Sequence, residues 1–387
     1  MHSEEAGFGL YVHWPYCEAK CPYCDFNSFV EKSIDHDAWT QAYLLELERA
    51  YRVSPNEPLT SIFFGGGTPS LMRPKTVEAV LAKANSLWGF SNDVEITLEA
   101  NPSSVEAQKF TDFRLAGINR VSLGVQSLVD ADLKRLGRLH TVDEALTALD
   151  IANAEFDRVS FDLIYGRQDQ TLGAWSHELD RALELTSGHI SLYQLTIEPN
   201  TAFGDRYAIG KLSGLPNEDL GADMYELVQD RCGARDLMAY EVSNHAKKGH
   251  ESRHNLTYWR YGDYVGIGPG AHGRLTISQQ KVATETILAP QLWLKAALDA
   301  DTLTHSTTCL TNFEADQERA LMGLRLKDGI DTKDFRSDQE TVLNAQKLNE
   351  LQVLGLIDKQ GSRICATQEG RPVLNYILRS ILDTDAT

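Results

Sequence analysis

The sequence predicts an α/β fold in which parallel strands alternate with helices. Short runs rich in β-branched and aromatic residues recur between residues 9 and 195, as is typical of strands. These runs are apolar on both faces, as expected for parallel strands that are covered by helices. Longer stretches with helical periodicity separate them. Six such units predict either a parallel barrel or a doubly wound sheet.

The predicted elements follow one another at short intervals. The strands are expected at residues 9–14, 61–66, 94–100, 120–125, 158–165 and 189–195. The helices between them are expected at residues 35–52, 74–88, 104–117, 141–154 and 172–186. Pro74 and Gly117 are start and stop signals of two of these helices. Because chemistry in parallel folds lies at the carboxyl ends of the strands, the polar and glycine motifs that follow each strand are the candidate site.

The length of 387 residues predicts more than one ordinary core. We expect a barrel core over residues 1–200, an extension of the barrel over 201–312, and a helix-rich, winged-helix-like domain over 313–387. The last segment contains 10 Lys and Arg against 13 Asp and Glu. A DNA-binding winged helix is basic, so we interpret this segment as structural or as a protein-contact surface.

Charge and hydropathy disfavour several classes of protein. The formal net charge is −18 and there is no basic run, whereas a protein that grips nucleic acid needs a basic face. The sequence contains no apolar run of 18 residues, which is the length that would predict a membrane span. The acidic start, MHSEEAGFG, lacks the apolar core of a secretory signal. We therefore expect a cytoplasmic protein, in which clustered cysteines indicate a metal site rather than disulfides.

Three cysteines follow the first predicted strand. Cys17, Cys21 and Cys24 have the spacing C-x3-C-x2-C, and thiolates favour zinc or iron–sulfur centres. A closed zinc site needs a fourth ligand, which His13 or a distant residue could supply. A four-iron cubane held by three cysteines leaves one iron open for a small molecule. The spacing favours iron–sulfur and leaves zinc as the alternative.

This stretch resembles the signature of the radical S-adenosylmethionine (SAM) superfamily. The resemblance implies a partial parallel (β/α)6 barrel with a 4Fe–4S cluster whose open iron binds SAM. It also implies a cofactor site built from residues at the strand ends, including the glycine motif G-G-G-T-P at residues 65–69. Matched one by one, the cofactor-binding residues are Tyr11, Tyr23, Gly66, Gly67, Thr68, Glu99, Gln126, Arg138 and Asp162. Taken alone, the glycine run would be a tight turn and Glu99 an ion-pair residue at the barrel rim.

Over nearly its whole length the chain resembles a group that contains oxygen-independent coproporphyrinogen III oxidase and the HemW heme chaperones. The oxidase has an additional cysteine two residues after the third, where this chain has Phe26, and a longer N-terminal extension. The sequence HNLTYW at residues 254–259 resembles the H-N-x-x-Y-W motif that HemW proteins associate with heme. The resemblance implies a heme chaperone with His254 as a candidate ligand, while His245 and His272 compete for that role.

One loop departs from the family pattern. Arg167 and Gln168 stand where relatives have Leu-Pro, and we expect a less rigid, more polar loop there. The implied partners are heme and acceptor hemoproteins, with respiratory-chain or other membrane-associated proteins as candidates. We expect no nucleic acid, and the sequence leaves a homodimer open. The alternatives are the oxidase reaction of porphyrin biosynthesis and a zinc-stabilised barrel that only binds its partners.

Overall fold

The computed structural model describes residues 6–54, 57–337 and 342–382. Seventeen strands are numbered here in chain order. They are β1 (Phe8–Trp14), β2 (Tyr16–Cys17), β3 (Phe29–Val30), β4 (Leu59–Gly66), β5 (Phe90–Ala100), β6 (Arg120–Gln126), β7 (Arg158–Tyr165), β8 (His189–Gln194), β9 (Met238–Ala239), β10 (Asn244–Ala246), β11 (Asp263–Ile267), β12 (His272–Ile277), β13 (Gln280–Thr286), β14 (His305–Cys309), β15 (Ile330–Asp331), β16 (Ile357–Gln360) and β17 (Arg363–Ala366) within the described residues.

The α-helices alternate with these strands in the first half of the chain. They are α1 (His36–Tyr51), α2 (Pro74–Trp88), α3 (Ser104–Ala107), α4 (Phe110–Leu115), α5 (Asp130–Arg135), α6 (Val142–Glu155), α7 (Leu172–Leu185), α8 (Ala202–Ala208), α9 (Glu218–Gly233), α10 (Arg253–Trp259), α11 (Pro290–Leu298), α12 (Asn312–Gly323), α13 (Ala345–Val353) and α14 (Leu374–Leu382). Short 3-10 turns lie at Pro69–Leu71, Thr332–Asp334 and Arg371–Val373.

One twelve-stranded sheet forms the body of the protein. Its order is β14-β13-β12-β11-β1-β4-β5-β6-β7-β8-β10-β9. The strands from β11 to β8 along this order pair in parallel, and the pairs outside them are antiparallel. All six predicted strands lie in the parallel part, so the predicted α/β class is confirmed. The carboxyl ends of these strands therefore meet at one edge of the sheet, where the site motifs were expected.

One face of the parallel strands is buried under helices, while the other face lines an internal cavity. In β1, Leu10, Val12 and Trp14 are fully buried. On the outer layer, α1 packs against α11 through stacked rings of Trp39 and Trp293, whose centroids lie 5.4 Å apart. Burial of such aromatic side chains supplies much of the stabilising apolar area of a core.

The predicted helices agree with the structure apart from one break. The stretch predicted as a single helix over residues 104–117 forms α3 and α4, separated at Gln108 and Lys109. In α3 the carboxylate of Glu106 turns inward and accepts hydrogen bonds from the Asn101 backbone N–H and from Ser70. The break therefore coincides with a buried carboxylate that anchors the loop after β5.

The C-terminal unit, residues 312–337 and 342–382, has its own core. Helices α12, α13 and α14 surround a small sheet in the order β15-β17-β16, which agrees with a helix-rich, winged-helix-like unit. Glu318 on α12 ties this unit to the large sheet, because it accepts hydrogen bonds from Arg274 at 2.8 Å and Tyr261 at 2.7 Å. The domain boundaries at residues 200 and 312 stay a prediction, and residues 1–5 and 383–387 of the outer domains lie outside the described residues.

Among the described helices, none has both the length and the apolar character needed to cross a membrane.

Candidate functional site

A cavity opens at the carboxyl ends of the parallel strands, beside the loop that follows β2. We call it the cysteine cavity. The predicted site residues that line it are Cys17, Cys21, Tyr23, Cys24, Gly66, Gly67, Thr68, Glu99, Gln126, Arg138 and Asp162. These residues come from six different loops and strands, and the parallel sheet brings them together. Tyr11 and His254 are placed elsewhere and are described below.

The glycine loop after β4 holds the start of the cysteine loop. The backbone N–H of Gly67 donates to the Trp14 carbonyl at 2.7 Å, and that of Thr68 donates to the Tyr16 carbonyl at 2.9 Å. A Cβ at residue 67 would lie 2.8 Å from the Tyr16 carbonyl oxygen. Gly66 has φ +112°, a conformation that L side chains rarely adopt. Only glycine therefore allows this close approach just before Cys17.

Arg138 brings a buried positive charge to the cysteines. Its Nη1 donates to Cys21 Sγ at 3.5 Å, and its Nη2 donates to Asn101 Oδ1 at 2.5 Å and to the Gly124 carbonyl at 2.9 Å. Its Nε is buried and has no hydrogen-bond partner among the described residues. A centre held by three thiolates carries negative charge, so a buried guanidinium with spare hydrogen-bonding capacity fits such a group.

The thiols themselves are free and partly buried. Burial raises the pKa of Cys17, although a hydrogen bond from Thr68 opposes the shift, and burial also raises the pKa of Cys24. Iron would reverse this effect, because metal coordination deprotonates a thiol. Among the described residues, no group of three or more His, Cys, Asp and Glu side chains has an arrangement that could hold a single metal ion.

Two carboxyl groups lie on the wall opposite the cysteines. Burial raises the pKa of Glu99 to about 8, with a further contribution from the nearby Asp162. Burial also raises the pKa of Asp162 to about 6, while hydrogen bonding from Ser191 and the charge of Arg138 oppose the shift. The Gly66 N–H donates to Glu99 Oε2 at 3.2 Å. This pair therefore carries less negative charge at neutral pH than two ordinary carboxylates, and a cation bound beside it would restore the charge.

Gln126 ends β6 in a left-handed conformation, with φ +69°. Such backbone costs a non-glycine residue about 1–2 kcal/mol and tends to occur at functional sites. The next residues hold it in place. Glu178 on α7 accepts hydrogen bonds from the Ser127 hydroxyl and the Leu128 N–H, both at 2.7 Å.

The expectation of a looser loop at Arg167 is wrong. Arg167 is 4% exposed and forms ion pairs with Glu178 and with Asp132, the latter at 3.0 Å. Its Nη1 also donates to the Ile164 carbonyl at 2.7 Å. A buried guanidinium that is paired with two carboxylates anchors its loop, so a buried ionic network stands here in place of the apolar Leu-Pro of relatives.

A second cavity of about 430 Å³ lies deeper in the barrel, and we call it the barrel cavity. Tyr11 and His254 line it, together with Phe63 and Tyr258. Tyr11 thus lies beside His254 rather than beside the cysteines. The two cavities share Phe26, Gly66, Glu99, Ser122 and Asp162, so the cysteine cavity opens onto the cavity of His254.

The imidazole of His254 is held in a defined orientation. Its ring stacks on Phe63, with centroids 5.1 Å apart, and on Tyr11 at 6.2 Å. Its Nδ1 lies 3.1 Å from Ser61 Oγ. Burial lowers the pKa of His254 to about 3, so the ring is neutral at physiological pH. A neutral imidazole is the form that ligates metals.

A buried ionic network, which the sequence analysis did not predict, anchors the backbone of the helix that carries His254. Glu95 on β5 is 2% exposed. Its Oε1 accepts from the backbone N–H of Arg253 at 2.8 Å and of His254 at 3.3 Å, at the start of α10. Its Oε2 pairs with Arg120 at 3.3 Å and Arg158 at 3.2 Å. A glutamate between Val94 and Ile96 in a buried part of the strand was the available signal, together with two strands that both begin R-V-S.

The competing histidines occupy different surroundings. His245 on β10 is 1% exposed, and its Nε2 lies 3.3 Å from Gln229 Nε2. His272 does line the barrel cavity, but its imidazole is about half exposed and its Nδ1 lies 3.7 Å from Glu285. Of the two competitors, only His272 therefore faces the same cavity as His254.

A third cavity of about 530 Å³ lies between the cysteine loop, the end of β8 and the C-terminal unit. We call it the C-terminal cavity. It shares Tyr23, Cys24, Phe26, Glu99, Gln126 and Asp162 with the cysteine cavity, and Tyr193 with the barrel cavity. Phe26, Glu99 and Asp162 line all three cavities, so these cavities meet at one junction.

Comparison with known proteins gives the family of the chain. The radical SAM superfamily matches residues 11–181, and the HemN C-terminal domain matches residues 310–373. Heme chaperone HemW of Escherichia coli is 42% identical over 279 residues, covering 72% of each chain. Heme chaperone HemW of Bacillus subtilis is 32% identical over 377 residues, covering 96% of this chain and 98% of that one. The chain belongs to the HemW family of the radical SAM superfamily.

Other relatives of this HemW-family chain agree with that placement. Radical S-adenosyl methionine domain-containing protein 1, mitochondrial, of Bos taurus is 38% identical over 386 residues, covering 96% of this chain and 87% of the relative. The solved structure of coproporphyrinogen III oxidase (HemN) from Escherichia coli matches with a TM-score of 0.81 over 98% of this chain and 90% of that chain, at 20% identity. At this identity the match shows the fold alone. Membership in the radical SAM superfamily implies a 4Fe–4S cluster and SAM, and the cysteine cavity offers residues that fit both.

Proposed function

We propose that this chain is a heme chaperone that binds a 4Fe–4S cluster, SAM and heme, and that transfers heme to acceptor hemoproteins. One observation carries the proposal. The cavity that contains the three cysteines and the cavity that contains His254 share the walls formed by Glu99 and Asp162. Occupancy of one cavity would therefore change the charge of a wall that faces the other.

In this proposal Cys17, Cys21 and Cys24 hold the cluster, and Arg138 offsets its negative charge. When bound and reduced, the cluster would supply an electron for the cleavage of SAM. The protein's own part is to orient the cofactor and to exclude water. The rim of the cysteine cavity has the groups for this purpose, namely the Gly66–Gly67–Thr68 backbone, Glu99, Gln126 and the ring of Tyr23.

Heme would reach the barrel cavity through the junction of the three cavities. His254 offers a neutral imidazole whose Nδ1 is engaged by Ser61, which leaves Nε2 as its nitrogen for iron. Tyr258 offers an aromatic face on the same wall. Support for heme as the cargo comes from the names of the HemW relatives and from the HNLTYW motif.

The rival function is the oxidase reaction on coproporphyrinogen. The likeness to the HemN structure favours it only at the level of fold. The position of the oxidase's additional cysteine is occupied by Phe26, a 59% exposed side chain at the junction of the three cavities. An apolar ring at that point lacks the thiol, so we expect no decarboxylation.

Two parallel assays after anaerobic reconstitution test the proposal. Heme-loaded protein should transfer heme to an apo-hemoprotein, and reduced protein with SAM should form no protoporphyrinogen from coproporphyrinogen III. Protoporphyrinogen formed with catalytic turnover would establish the oxidase instead. Reconstituted protein that contains zinc and no acid-labile sulfide would establish the zinc-stabilised alternative. We retain the cytoplasm as the proposed location, and the acceptors as respiratory-chain or other membrane-associated hemoproteins.

A further inference from the structure

The lining of the C-terminal cavity contains both positively and negatively charged side chains, and four of them have no role in the proposed cofactor site. Arg325 and Arg371 line it from the C-terminal unit. Asp25, on the cysteine loop, and Glu198, after β8, line it from the other side. A ligand with negative charge at one edge would therefore be oriented toward the C-terminal unit. The volume of about 530 Å³ lies within the range of about 300–1,000 Å³ that is typical of small-molecule and cofactor sites.

Arg325 has spare capacity to bind an anion. It lies just after α12, and its Nη2 is 3.7 Å from Glu241 Oε2, beyond ordinary hydrogen-bond distance. Arg325 is not the only group that holds Glu241, because Glu241 Oε1 accepts from the Ser243 N–H and from Asn244 Nδ2, both at 2.7 Å. The guanidinium carbon of Arg325 lies 4.7 Å from the centre of the Trp259 ring, and its Nε is buried with no hydrogen-bond partner among the described residues.

Arg371 lies at the start of a 3-10 turn on the same wall of the cavity. Within the described part of the chain it forms no ion pair with a carboxylate. The lining of the cavity also includes the apolar and aromatic side chains of Tyr193, Val242 and Leu374. Tyr193 also lines the barrel cavity. This arrangement suits a flat apolar ligand that carries carboxylates at one edge.

A row of neighbouring aromatic rings joins Arg325 to the candidate heme ligand. The Trp259 and Tyr258 rings have centroids 4.6 Å apart, and the Tyr258 and His254 rings have centroids 6.2 Å apart. The HNLTYW helix therefore contacts the barrel cavity at one end and the arginine wall at the other. One ligand of the size of a tetrapyrrole would be in reach of both.

We propose that the C-terminal cavity binds the carboxylate edge of a tetrapyrrole, with Arg325 and Arg371 paired to its two carboxylates and the macrocycle lying against Tyr193. This inference rests on the proposed heme-binding function and adds the residues that select a dicarboxylic ligand. Guanidinium groups match carboxylates in geometry and form charge-assisted hydrogen bonds, which are the stronger kind. The C-terminal unit would then take part directly in holding the cargo.

The test compares heme with heme dimethyl ester, which keeps the iron and macrocycle but lacks free carboxylates. Full-length wild-type protein should bind the ester about tenfold more weakly than heme. Arg371→Met should weaken heme binding by a smaller factor, because the pair with Arg325 remains, and should leave ester binding unchanged. Arg379→Met, an exposed arginine on α14 outside the cavity, should bind both ligands as the wild type does. Arg371 is the cleaner probe because Arg325 also lies beside the buried Glu241.

The possible outcomes distinguish a failure of the arginine inference from a failure of the proposed heme binding. Equal affinity of the wild type for heme and its ester would overturn this inference, and this comparison needs no variant to fold. Unchanged heme binding by Arg371→Met would overturn it as well. In both cases heme binding itself would stand. Failure of the wild type to bind heme at all would overturn the proposed function and this inference with it.

Discussion

The cysteine cavity and the barrel cavity adjoin one another but are built in different ways. The first is formed by loops at strand ends, whose chemistry is concentrated in short motifs such as C-x3-C-x2-C and G-G-G-T-P. The second holds His254 through side chains from distant strands, among them Glu95 and Ser61. Both the cysteines and His254 belong to short motifs that are visible in sequence, whereas the side chains that hold His254 become visible only in the folded chain. Several substitutions should separate the two regions.

The largest expected difference comes from the cysteines. Replacing Cys17, Cys21 or Cys24 by Ala should abolish the brown iron–sulfur chromophore, since each would remove one of three ligands. Heme binding should survive at least in part, because His254 lies on another element. Cys309→Ala is the control, since Cys309 is exposed. Iron and acid-labile sulfide analysis after reconstitution measures the effect, and unchanged sulfide in a cysteine variant would refute that residue as a ligand.

The second largest effect should come from Glu95. Glu95→Gln would leave Arg120 and Arg158 without their shared buried carboxylate, and breaking a buried pair costs about 3–5 kcal/mol. Chemical denaturation should show this loss of stability, and heme binding should weaken because the start of α10 loses its anchor. Asp93→Asn on the same strand removes only an exposed ion pair with Arg253 and should cost less than about 1 kcal/mol. Equal stabilities of the two variants would contradict the role given to Glu95.

A smaller effect concerns the pH dependence of cofactor binding. The sulfonium of SAM carries a permanent positive charge, which favours ionised carboxylates on the cavity wall. Because the pKa of Glu99 is raised to about 8 and that of Asp162 to about 6, affinity for SAM should rise between pH 6 and 8. The gain should be about tenfold, the effect of one charge-assisted contact. For Glu99→Gln, calorimetry should show a weaker dependence of SAM affinity on pH. A pH dependence identical to that of the wild type would mean that Glu99 has only a structural role.

The smallest effect on folding should come from Gln126. Gln126→Gly relieves the left-handed backbone, so the stability should stay within about 1 kcal/mol of the wild type. Affinity for SAM should nevertheless fall, because a side chain of the cofactor wall is lost. Asp236→Gly, at a positive-φ turn outside the cavities (φ +59°), should change neither cofactor affinity nor stability by much. Loss of stability without loss of affinity in Gln126→Gly would reverse this assignment.

The sequence predicted the parallel strands because their apolar runs are local and the alternation of strand and helix is regular. β7 was predicted with its observed limits. The three cysteines were likewise predictable, since their spacing is itself the chemical signal. Arg167 was misjudged because flexibility was inferred from the loss of Leu-Pro alone. Its partners Asp132 and Glu178 come from two helices, α5 and α7, and only packing brings them together.

The parts that were not predicted depend on contacts far apart in sequence. Glu95 meets His254 across 159 positions, and Arg325 meets Trp259 from a different unit of the fold. The position of Tyr11 beside His254 follows from the pairing of β1 between β4 and β11, which a motif match does not contain. Spacing therefore predicted the three cysteines, and the family resemblance implied the rest of the cofactor wall and His254, while the side chains that hold His254 required the assembled sheet.

The most direct test of the central claim is an anaerobic titration of the reconstituted wild-type protein with heme, followed through the Soret band. The account predicts a saturable shift with one heme per chain, and a diminished shift in His254→Ala compared with His272→Ala. An unaltered spectrum in His254→Ala would clear that residue of ligation while leaving heme binding in place. A wild-type protein that gives no saturable Soret shift would contradict the claim that this chain carries heme.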